Sequence, residues 1–296
     1  MSVGLKLTRT FKYERMEMMD TAVKKELQIT ACKARMGIIE GVHAAKAGHP
    51  GGSLSSVEIL TYLYFKHMNI DINNPRMENR DRFVLSKGHA APALYSVLAL
   101  RGFFDFDLLK TLRQPGSILQ GHPDMKKIPG VDMSTGSLGQ GVSAAVGMAL
   151  SSKHFGTGFK VYSILGDGEI EEGQVWEAAM FAAHKNLSNL TIFVDYNNLQ
   201  IDGTIEEVNS AAPIDKKFEA FNWHTIVIDG NDFDQIEAAL KEAETVDKPV
   251  AIIAKTVKGK GVSFMEDVVG WHGVAPNDEQ YEQAMAELNE QLAKLQ

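Results

Sequence analysis

The sequence predicts an α/β fold, a doubly wound, mostly parallel sheet with helices on both faces, and two observations carry that expectation. The first is an apolar strand from Val161 to Leu165, a helix from about Glu172 to Lys185 and a second strand from Leu190 to Asp195, at the spacing of a βαβ unit with adjacent parallel strands. The second is a repeat of that order further on, with strand Thr225 to Asp229, helix Asp232 to Thr245 and strand Pro249 to Lys255. Alternation of this kind builds a parallel sheet whose helices cover both sides. At 296 residues the chain is long enough for one large domain with a deep core, and it is read as one domain over residues 1–296 with a helical extension at its N-terminus.

The remaining elements follow in chain order. Leu27, Ala31, Ala34, Ile38 and Val42 recur at helical spacing in an Ala-rich stretch from Thr21 to Ala47, which Gly48-His49-Pro50-Gly51-Gly52 ends in a loop. Ser53 or Ser55 is placed to cap a second helix through Val57, Leu60, Leu63 and Tyr64, before the turn at Asn73-Asn74-Pro75. Arg82 to Ser86 reads as a strand, Lys87-Gly88-His89 as a turn, and Ala93, Leu94, Val97 and Leu98 as the face of a helix. Residues 113–141 hold the densest Gly/Pro punctuation and read as a long functional loop, because a helical run from Ala144 to Leu150 resumes directly after it. A charged amphipathic helix with Met285, Leu288 and Leu292 on one side closes the chain.

Composition narrows the function classes. Thirty Lys+Arg against thirty-eight Asp+Glu leave a formal charge of -8, which argues against a general nucleic-acid or anionic-membrane surface. A phosphate-bearing ligand must then be held locally, by backbone amides, a metal or a few placed histidines and lysines. The single cysteine, Cys32, excludes an intrachain disulfide and a Cys-based zinc site. The first twenty residues mix charges with isolated apolar positions and contain neither a signal-peptide core nor a membrane span, so a cytoplasmic protein is expected.

The chemistry concentrates where the second predicted strand runs into Gly166-Asp167-Gly168, a carboxylate at the carboxyl end of a parallel strand with a glycine on either side to admit a ligand. The next helix is expected to turn its amino end, with its unpaired N–H groups, toward the same crevice and to favour a diphosphate there. The neighbouring strand ends in Asp195-Tyr196-Asn197-Asn198, bringing an amide oxygen to the same sheet edge. Asp167, Asn197 and the backbone carbonyl of Leu199 would leave the other positions of an octahedral Mg²⁺ to diphosphate oxygens and a water, and such hard ligands suit Mg²⁺ or Ca²⁺ and not zinc. Gly-Asp-Gly alone also describes a plain β-turn; turn chemistry gives no reason for the paired Asn-Asn one strand later.

Gly-Asp-Gly followed by Asn-Asn resembles the thiamine-diphosphate signature, and the flanking segments narrow the resemblance to the transketolase family. Gly48-His49-Pro50-Gly51, Ser86-Lys87-Gly88-His89, Gly121-His122-Pro123, Thr135-Gly136-Ser137-Leu138-Gly139-Gln140-Gly141 and His272-Gly273 look like transketolase segments in transketolase order, over nearly the whole chain. The resemblance implies that Asp167, Asn197 and the Leu199 carbonyl hold the metal and that Gly168, Asn197 and the Gly136-Ser137-Leu138 segment contact thiamine diphosphate. Ser137 stands where the family often has proline, a change of little consequence if the backbone makes the contacts. His49, His89, His122 and His272 match positions lining the cofactor and substrate channel, with His89 and His272 also against the cofactor. Imidazole suits such work because it donates to a sugar hydroxyl or shuttles a proton near neutral pH. The ordinary alternative, glycine-flanked histidines that cap turns, weakens when four occur together. His43, His67, His154, His184 and His224 are assigned to packing or surface roles.

Glu172 matches a family glutamate linking paired active sites, although a helix-start glutamate complementing the dipole looks the same in sequence. Lys255, Lys258 and Lys260 are placed either to reach cofactor phosphate or to solvate a loop, and loop solvation is the preferred reading. The resemblance stops before the family's pyrimidine-binding and C-terminal domains. It thus implies the amino-terminal subunit of a split transketolase, with a separately encoded partner, two copies of each chain and sugar phosphates as substrates. Two alternatives are a component of another thiamine-diphosphate enzyme, such as a 2-oxo acid dehydrogenase or deoxyxylulose phosphate synthase, and a non-catalytic regulator that kept the fold.

Overall fold

The computed structural model describes residues 19–296; the charged start of the chain, with the expected N-terminal extension, lies outside the described residues. Helix α1 (Thr21–Ala45) opens on Asp20, whose carboxylate accepts from the Ala22 and Val23 N–H groups, and closes on Lys46 in a left-handed conformation. The predicted loop at Gly48–Gly52 is instead largely helical: Pro50 occupies the first position of a short helix α2 (Pro50–Leu54), where its missing N–H costs nothing. Neither predicted serine caps the next helix, α3 (Val57–Tyr62), which is extended by one π turn over Leu63–His67. Ser53 donates to the His49 carbonyl at 2.7 Å and Ser55 to the Asp195 carboxylate at 2.7 Å, so other partners displace the expected cap.

Strand β1 (Arg82–Leu85) leads to α4 (Ala91–Arg101). The punctuated loop ends at α5 (Gln140–Phe155), which starts four residues before Ala144. Then follow β2 (Val161–Gly166), α6 (Gly173–His184), β3 (Leu190–Tyr196), the short α7 (Ile205–Val208) and α8 (Ile214–Ala220), β4 (His224–Asp229), α9 (Phe233–Ala243), β5 (Val250–Lys255) and α10 (Asp278–Leu295). The five strands form one sheet in the order β1-β2-β3-β5-β4, every pair parallel. Both predicted βαβ pairs are adjacent, with Val161 opposite Leu190 and His224 opposite Val250.

Side chains alternate between two apolar layers. Leu190, Ile192 and Val194 of β3 join the layer that includes residues of α5, α6 and α8, whereas Phe193 joins the layer of α1, α3, α4, α9 and α10. Covered on both faces, the central strands β2, β3 and β5 are buried at nearly every position, as an interior parallel sheet requires, whereas the edge strand β4 is mostly exposed or half-buried. Leu288 of α10 is fully buried, a contribution of about 1.5–3 kcal/mol for one leucine, and Cys32 of α1 donates to its carbonyl at 3.3 Å. Asp195, two residues after Phe193, points to the same side and meets Ser55 at the end of α2. The carboxyl ends of β2 and β3 thus lie side by side under α2, where the chemistry-bearing turns begin.

Candidate active site

At the end of β2, the Asp167 N–H donates to the Asp195 carbonyl at 3.2 Å, a bond that carries the β2–β3 pairing one residue into the turn. Asp167 is 2% exposed. Its carboxylate accepts from the Gly168 N–H at 2.9 Å and from the Asn198 N–H at 2.5 Å. Asn198 adopts a left-handed φ of 63°, which turns the chain after β3 back toward β2. Asn197 is buried, and among the described residues its Oδ1 accepts one long bond of 3.2 Å, from the Leu199 N–H. Asp167, Asn197 and Leu199 line one cavity of about 330 Å³, together with Gly136, Leu138 and Gly168.

Three of the four predicted channel histidines meet at this cavity. Ring centroids are 5.2 Å apart for His49 and His89, 5.7 Å for His49 and His272, and 5.4 Å for His89 and His272. Burial, followed by the nearby Arg113, lowers the His49 pKa to about 4. Burial and then Lys258 lower that of His272 to about 4, and burial followed by Lys87 lowers His89 well below its ordinary value. The trio is neutral near pH 7. His122 sits at the rim against Gly136, where a Cβ would lie 3.0 Å from its ring, so glycine is needed for that approach.

Several expectations are corrected. Lys258, read as solvation, is 2% exposed and lines the cavity. Its ammonium donates to the Leu199 carbonyl at 2.9 Å and lies 2.9 Å from His272 Nδ1, and burial lowers its pKa to about 8 against the opposing pull of Asp167. Lys255 is exposed, as expected. The amino end of α6 does not line the cavity, because a 3₁₀ turn over Glu169–Glu171 separates Gly168 from the helix. Glu172 is exposed and packs over Gly139 outside the cavity, and Ser137 lies between the lining residues Gly136 and Leu138.

Two further contributors were given no role by the sequence. Glu169 bonds the Ser86 hydroxyl at 2.5 Å, the Gly139 N–H at 3.0 Å and the Gly166 N–H at 3.0 Å, and so stitches three site segments together. Lys87 forms a buried ion pair with Asp195. The available signal was position alone: Lys87 lies inside Ser86-Lys87-Gly88-His89, and Glu169 directly follows Gly166-Asp167-Gly168.

The donor set fits a divalent cation with a diphosphate. Burial, then Asp195, raises the Asp167 pKa to about 7, and Asp167 has no lysine or arginine at ion-pair distance among the described residues. A desolvated carboxylate of this kind is stabilised by a cation. Among the described residues no group of three or more His, Cys, Asp or Glu could hold a metal, so an ion here depends on one carboxylate, an amide oxygen and a carbonyl. His49 Nδ1 is buried without a hydrogen-bond partner among the described residues, an unsatisfied polar atom beside the cavity that His49 lines.

Residues 27–292 match the family model described as transketolase, thiamine diphosphate binding domain. The chain is 47% identical over 269 residues to a 6-deoxy-6-sulfo-D-fructose transketolase subunit of Clostridium sp. (strain MSTE9), covering 90% of this chain and 98% of that protein. It is 42% identical over 271 residues to one of the subunits of the apulose-4-phosphate transketolase of Phocaeicola vulgatus, covering 91% and 96%. The transketolase of Campylobacter jejuni superposes with a TM-score of 0.84 at 32% identity, over 94% of this chain and 46% of that one, so this chain spans less than half of that solved chain. By these matches the chain belongs to the transketolase family, within its thiamine-diphosphate-binding portion.

Proposed function

We propose that this chain is the diphosphate-binding subunit of a two-component transketolase, which moves a two-carbon ketol unit from a ketose phosphate to an aldose acceptor. The observation that carries the reading is the shared cavity in which Asp167, Asn197 and Leu199, from two adjacent strand ends, face a cluster of neutral histidines. Relatives named as subunits, which this chain covers almost end to end, support the two-component form. In this reading residues 1–296 are one diphosphate domain, and a separately encoded chain brings the pyrimidine-binding and C-terminal domains in a heterotetramer with two copies of each. In the same reading the enzyme is cytoplasmic, which its single free cysteine, Cys32, suits; no helix among the described residues is long and apolar enough to cross a membrane.

Asp167, Asn197 Oδ1 and the Leu199 carbonyl would hold Mg²⁺, or Ca²⁺, and Gly136, Leu138, Gly168 and Lys258 would face the diphosphate. Thiamine diphosphate, when bound, supplies a nucleophilic carbon and an electron sink for the carbanion left by carbon–carbon cleavage. The histidines handle the sugar's protons. Because the Lys258 ammonium can only donate, His272 Nδ1 accepts and its proton sits on Nε2, which is then free to donate to a ligand oxygen. His49 Nδ1 offers a second unpartnered position, while His89 closes the trio and His122 guards the rim. The relatives act, by name, on a sulfonated and a phosphorylated sugar, which supports an anionic sugar as substrate.

The test is ketol transfer by the purified chain with and without its partner, using thiamine diphosphate and Mg²⁺. The expected result is turnover only when both chains are present. Robust turnover by this chain alone would overturn the two-component reading, and a coupled assay in which pyruvate serves as donor would identify the alternative enzyme classes.

A further inference from the structure

Asp195 lies behind the cavity wall, bonded to the lining residues Lys87 and Asn197, and is not needed as a metal ligand. It is fully buried at the end of β3. Its Oδ2 accepts from the Ser55 hydroxyl at 2.7 Å, from the Lys87 ammonium and from Asn197 Nδ2 at 3.0 Å, and its Oδ1 accepts from the Thr256 hydroxyl. Lys87 in turn donates to the Gly52 carbonyl at 2.7 Å and is 1% exposed. With an ammonium paired to it and four donors on its two oxygens, this side chain is held as the carboxylate. An ionised carboxylate accepts and cannot donate.

The two ends of a carboxamide are nearly equal in size, so an asparagine in a plain cavity can present either its oxygen or its NH₂. Only the oxygen binds a cation. Opposite Asp195, a flipped amide would set oxygen against a charged oxygen and leave the NH₂ toward the Leu199 N–H, two repulsive contacts in a dry site. We propose that Asp195, neutralised by Lys87, is a positioning residue that locks the Asn197 amide with its oxygen presented to a divalent cation. The same four donors occupy both Asp195 oxygens and keep that carboxylate from ligating the ion itself. This inference rests on the reading of Asp167, Asn197 and Leu199 as the cation's ligands.

The experiment titrates Mg²⁺ by calorimetry into the full chain with its partner and saturating thiamine diphosphate. D195N is expected to weaken Mg²⁺ at least about tenfold, the usual effect of losing a group that orients a ligand. The exchanged pair D195N/N197D is expected to recover affinity to within about threefold of wild type. A carboxylate at position 197 has two equivalent acceptor oxygens, so it presents an oxygen to the cation whichever way the side chain turns and needs no orienting partner at position 195. A purely structural role for Asp195 makes the exchanged pair as weak as D195N, and that result overturns the proposal, as does D195N with wild-type affinity. Should D195N not fold, side-chain amide exchange in the ¹⁵N-labelled wild-type complex decides: protected Asn197 NH₂ protons before and after Mg²⁺ are expected, and rapid exchange overturns the lock. Wild-type protein that takes up no Mg²⁺ overturns the ligand assignment and the lock together, whereas wild-type uptake matched by D195N overturns the lock alone.

Discussion

Lys258 shows how burial reverses the meaning of a charged side chain. Three lysines at positions 255, 258 and 260 look alike in sequence, yet the first is exposed and the second is enclosed against the Leu199 carbonyl and His272. The histidines were legible because each stands beside a glycine; their neutrality was not, since it comes from burial and from neighbours remote in the chain such as Arg113. That neutrality has a measurable consequence. His49 and His272 titrate near 4 in the folded chain against an ordinary 6.5, so between those values the unfolded chain binds more protons. Their contribution to stability is complete above about pH 6.5 and is lost as pH falls toward 4. Asp167, raised to about 7, acts in the opposite sense in the cofactor-free chain, so the histidine contribution must be read as a difference. The urea midpoint of wild type should fall faster than that of His272→Gln between pH 6.5 and pH 4; parallel curves would contradict the assignment.

The segment that follows β5 depends on backbone features that no periodicity reveals. Gly259 has a φ of 80°, and a Cβ there would lie 2.2 Å from the Met265 carbonyl oxygen. The loop is anchored at both ends, by the Val257 N–H on Asn231 Oδ1 at 3.0 Å and by the Lys260 carbonyl, which accepts from Arg35 Nε at 2.8 Å. Gly259→Ala should therefore cost at least about 3 kcal/mol, since a left-handed conformation and a backbone clash are both forced. It should also abolish thiamine-diphosphate binding, because Lys258 adjoins the displaced turn. Urea denaturation and ligand-induced fluorescence quenching check the two effects. Helix α2 carries the converse lesson: Gly-His-Pro-Gly-Gly reads as a breaker, yet Pro50 initiates a helix whose residues are all buried. Local rules describe what a proline forbids inside a helix and say little about one placed at its first turn.

Ligand linkage connects the site to the stability of the complete protein. A cofactor held only by the folded state at 100 times its Kd adds about 2.7 kcal/mol. Thiamine diphosphate with Mg²⁺ should therefore raise the Tm of the chain in complex with its partner, and a chelator should return it to the cofactor-free value; a shift that survives chelation would mean that the diphosphate is held without the metal. Element order, strand adjacency and the meeting of Asp167 with Asn197 could be read from the chain, because apolar runs and right-handed crossovers leave few ways to arrange two βαβ units. The roles of Lys258, Lys87 and Asp195 could not. Each is defined by partners far along the chain: Leu199 and His272 for Lys258, and Ser55, Thr256 and one another for the buried pair. Side-chain type and spacing report which face of an element is apolar, but the protonation, orientation and availability of a polar group depend on what surrounds it once water has been excluded.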